Sequence, residues 1–177
     1  IHRQPWQGCM ASSITGSFYL TETVTLPGGT AAAGRVQATV DLSAYVNVPT
    51  GQAIAIESVD FVYQTGADFG GDVRSMLAGN GAVSIQLVDL NPGTAFVRAD
   101  NHSLVASGSL NIDQTNSIAT HASDLYPDNF GPANLSEAFL VVNDTLFLTA
   151  GPVGANLGLA DVFVTARVRA RVVNLPT

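Results

Sequence analysis

Between Ala160 and Leu175 apolar and polar side chains alternate with a period of two, with Val168, Ala170 and Val172 on one face and Arg167, Arg169 and Arg171 on the other. Successive side chains of a strand point to opposite faces, so a run of this kind is a β-strand with one face in a core. The same pattern recurs along the chain, broken by Gly, Pro and Asn clusters. Phe18, Leu20 and 23–26 stop at Pro27-Gly28-Gly29, and Val36, Ala38, Val40 and Leu42 alternate with Gln37, Thr39 and Asp41. After Pro49-Thr50-Gly51 comes a long run over 53–64, with Ala55, Glu57, Val59, Phe61 and Tyr63 on one side and Ile54, Ile56, Ser58, Asp60 and Val62 on the other. Both sides are partly apolar, which predicts a strand buried between layers or touching a partner with its outer face.

Further strands are predicted over 82–90 and 104–112, with a short one over 94–98. Residues 137–142 and 145–149, flanking Asn143-Asp144, read as a hairpin-like pair. The glycine-rich stretch 65–81 and the turn-rich stretch 113–132 read as long loops, of the length that in compact domains serves function or interfaces. No segment has the 3.6-residue periodicity of a helix longer than about two turns. The expectation is an all-β chain: an antiparallel two-sheet β-sandwich, a single jelly roll of about eight strands, with 53–64 and 160–175 near the centres of the sheets. At 177 residues one domain suffices. The division expected is an extended N-terminal arm over 1–14 and a single β-sandwich domain over 15–177.

Charge narrows the function. Charged residues make up 12% of the chain, against about 25% in globular domains. All seven basic residues are arginine, so the chain has no lysine. Soluble monomers keep apart with mixed surface charge and guard sheet edges with lysine in particular. A chain lacking both is expected to have much of its surface covered by neighbouring subunits. A formal net charge of −7 argues against direct, sequence-specific nucleic-acid binding, which needs clustered positive charge. No apolar run is long enough for a membrane span.

The chain holds little that could do chemistry. His2, His102 and His121 stand in no catalytic or metal-binding spacing, there is no nucleophile elbow or phosphate loop, and Cys9 is the lone thiol. Asp68 and Asp72, and Asp124 and Asp128, lie in turn-forming segments that match no calcium loop. The expectation is therefore no enzyme, no cofactor, no metal site and no small-molecule substrate. The candidate functional residues are inter-subunit contacts. Arg3 and Trp6 belong to an arm with little to bury in a core of its own. Arg167, Arg169 and Arg171 line one pleat, where carboxylates of an adjacent strand or subunit are the natural partners.

The layout of arm, strands, the Tyr126-Pro127-Asp128-Asn129-Phe130 segment, a strand pair ending in Leu146-Phe147-Leu148 and the closing run Ala160–Val168 resembles the small single jelly-roll major capsid proteins of icosahedral viruses, including tailless viruses of archaea and bacteria and related environmental viruses. The resemblance implies a structural protein that self-assembles into a capsid shell by lateral packing of jelly rolls, located in the virion, with copies of itself and other capsid proteins as partners. The alternative of another class is a secreted β-sandwich subunit of a pilus or surface filament, joined by strand donation from residues 1–26. A carbohydrate-binding sandwich ranks last, because one Trp and four Tyr offer few rings for a sugar platform.

Overall fold

The computed structural model describes residues 12–13, 16–65, 73–93, 95–98, 103–123 and 139–174. Its strands are β1 (Ser12–Ser13), β2 (Phe18–Leu26), β3 (Val36–Asp41), β4 (Gln52–Gln64), β5 (Gly81–Val88), β6 (Leu104–Asp113), β7 (Ile118–Ser123), β8 (Phe139–Val141), β9 (Thr145–Val153) and β10 (Val162–Asn174). Single 3-10 turns at Val48–Thr50 and Val73–Met76 complete the regular structure of the described residues. Among them no helix is long and apolar enough to cross a membrane.

Every pairing is antiparallel, and the pairs nest: β5 with β6, β4 with β8, β3 with β9, β2 with β10. A chain paired in this way is one long double-stranded ribbon. Rolled up, it brings β10 beside β4 and β9 beside β5, giving sheets of order β2-β10-β4-β8 and β3-β9-β5-β6-β7. This is a jelly roll, with β7 added at one edge and β1 continuing the line of β2 along β10.

The core lies between the sheets. β10 contributes Val162, Val164, Ala166, Val168, Ala170 and Val172, facing Ile85, Leu87, Leu146 and Leu148 of the second sheet. The apolarity of both sides of 53–64 has a local cause. The ladder pairs Arg169 with Ser58 and Ala170 with Ile56, so Glu57 has no opposite residue and forms a β-bulge. The extra residue switches the inward set from Ile54 and Ile56 to Val59, Phe61 and Tyr63. The strict odd–even division expected from the sequence therefore fails at Glu57.

Other expectations also need correction. The two longest runs occupy one sheet and pair with each other rather than centring separate sheets. The predicted loop 113–132 contains β7, an edge strand whose exposed Ile118 and polar Thr120 and His121 give no core-facing alternation to read. Strands β8 and β9 are not a hairpin: β8 pairs with β4, β9 with β3 and β5, and residues 142–144 carry the chain across the sandwich. Residues 95–98 are not a strand, because their partner is a side chain: the Gln86 amide donates to Val97 O and accepts from Val97 N, both at 2.8 Å. His2, Cys9 and His102, the Asp68–Asp72 and Asp124–Asp128 segments and the Tyr126–Phe130 segment lie outside the described residues.

Candidate functional site

The bulge at Glu57 organises the outward face of the first sheet. Strand alternation puts Arg167, Arg169 and Arg171 on that face, and the register brings Arg171 opposite Ala55 and Arg169 opposite Ser58, on either side of the unpaired glutamate. The Glu57 carboxylate, 1% exposed, takes a hydrogen bond on Oε1 from Arg171 Nε at 2.8 Å and another from Ser17 Oγ at 2.7 Å. Arg171 Nη2 in turn donates to Ser17 Oγ at 2.9 Å. Oε2 is buried, accepts no hydrogen bond and faces Arg169 Nε at 3.7 Å. A buried carboxylate is tolerated only when paired, and here two arginines share one.

The three arginines therefore differ in availability. The Arg171 side chain is held against Glu57 and is largely covered, while that of Arg169 is 38% exposed. Arg167 is exposed, lies opposite Asp60 in the ladder, and places its guanidinium carbon 5.0 Å from the Tyr19 ring centroid. Around this pair the outward residues of β2 are Thr21, Thr23 and Thr25, with the Thr23 and Thr165 hydroxyls 2.9 Å apart. The surface around them is rich in hydroxyls. Arg3 and Trp6 lie outside the described residues.

Glu57 was not singled out by sequence reasoning, yet it fixes two of the three arginines. The signal was present: it is the one acid within the apolar stretch 53–57. Its bulge position depends on the register with β10, which is non-local.

At one end of the sandwich a cavity of about 250 Å³ is lined by Asp89, Leu90, Asn91, Asn143, Asp144, Thr145 and Phe147. Burial holds the Asp89 carboxyl above the ordinary carboxylate range, partly offset by a hydrogen bond from Ser103, and Oδ1 accepts no hydrogen bond. The Asn143 amide donates to Asp89 O at 2.7 Å, tying the β8–β9 crossing to the end of β5. Among the described residues no three metal-ligating side chains converge here or elsewhere.

No family model and no curated protein matches the chain. Among solved structures, a chain from the single-particle structure of maize chlorotic mottle virus aligns over 91% of this chain and 96% of that one, at 12% identity and a TM-score of 0.29. At that TM-score the likeness adds nothing to the strand pairing described above.

Proposed function

We propose that this protein is a structural subunit that packs side by side with copies of itself into a closed viral shell. The observation that carries the proposal is the nested pairing of β2–β10, β3–β9, β4–β8 and β5–β6 around a sealed aliphatic core. Jelly rolls serve mainly as capsid, lectin and cupin domains. A cupin keeps a ligand cavity between its sheets, whereas here that space is filled by Val, Leu, Ile and Ala side chains. A lectin presents a platform of aromatic rings, whereas the outward faces of the described strands present mainly Thr, Ser and Gln, with Tyr19 covered in part by Arg167. Neutral, hydroxyl-rich faces without lysine suit permanent burial against neighbours, and the sequence resemblance to single jelly-roll capsid proteins points the same way.

The filament reading loses part of its basis. All nine residues of β2 pair with β10 of the same chain, so Phe18–Leu26 is an integral strand and not a donor for the next subunit. Electron microscopy of the purified full-length chain tests the proposal. Closed isometric particles are expected. Open helical fibres, the product of a contact that does not close, or a chain monomeric at every concentration, overturn it.

A further inference from the structure

We draw no further inference here: the strongest candidate, the cavity at the end of the sandwich lined by Asp89, Asn91, Asn143 and Asp144, has no second feature that points to a ligand, since the Asp89 side chain is itself part-exposed and no three metal-ligating side chains converge among the described residues.

Discussion

Glu57 does two jobs through one side chain: its backbone supplies the extra residue of the bulge and its carboxylate anchors Arg171, Ser17 and Arg169. Replacing it with alanine takes away a buried anion that two cations share. The expected cost is about 3 kcal/mol, the low end for a buried pair because Arg169 reaches solvent, or a fall of roughly 6–12 °C in the calorimetric midpoint for a chain of this size. Glu57→Gln keeps the shape and a hydrogen-bond acceptor, so it should lose less. Equal stability of Glu57→Ala and wild type would remove the cluster from the list of what holds the sheet. Asp89 is the opposite case, a carboxylate whose ionisation the fold resists. Its pKa is raised by burial, with the Ser103 hydrogen bond opposing. A carboxyl raised in the folded state contributes stability that is complete below its unfolded pKa of about 3.9 and is lost as pH rises through the folded value. Asp89→Asn should therefore melt higher than wild type at pH 7, by no more than about 2–4 °C, and the gain should shrink as pH falls toward about 4. A gain that is constant with pH would refute the electrostatic cause.

The elements show which parts of such a fold a sequence can reveal. Strand β10 was legible because alternation is local and one of its faces is wholly buried. The hydrophobic run of β4 was legible too, but not the switch of its inward face, since a bulge exists only relative to the strand opposite. The arginine pleat could be read from residue spacing, while the acid that holds it could not. The strap over the second sheet was hidden for a related reason. Gln37 and Gln86 both lie opposite Thr149 in the ladder, on either side of it. Gln37 Nε2 donates to Gly93 O at 2.7 Å and to Asn91 Oδ1 at 3.1 Å, and Gln86 holds both backbone groups of Val97. With Phe96 under Arg35, these amides lay the β5–β6 connection across the outer face and leave Thr149 1% exposed. Such side-chain-to-backbone pairs carry no periodic signature. Gln86→Ala should release residues 95–98 while costing the fold only about 1–2 kcal/mol, the worth of two neutral hydrogen bonds. Hydrogen exchange at Val97 should accelerate with little change elsewhere. Unchanged protection there would mean that Phe96 and Gln37 hold the strap without Gln86.

For the whole molecule the governing quantity is the balance between a net charge of −7 and surfaces that are mostly uncharged. Copies of such a chain repel one another at long range, and the proposed shell would have to be held where hydroxyl, amide and apolar faces come into contact. The cations on the outward faces are few, and Arg171 and Arg169 are already committed to Glu57 of their own chain. In the proposed shell, arginine–carboxylate pairs between subunits would then be only a minority of the contacts. Added salt shortens the Debye length from about 10 Å at 0.1 M to about 3 Å at 1 M. That weakens the repulsion among the acidic bodies and barely touches apolar contacts or direct hydrogen bonds. We therefore expect assembly of the full-length chain at neutral pH to survive 1 M NaCl and to begin at lower protein concentration in high salt than in low. Light scattering across a salt series measures both. Dissociation by salt alone would mean that ion pairs hold the subunits together, and the scarcity of charge would then need another explanation.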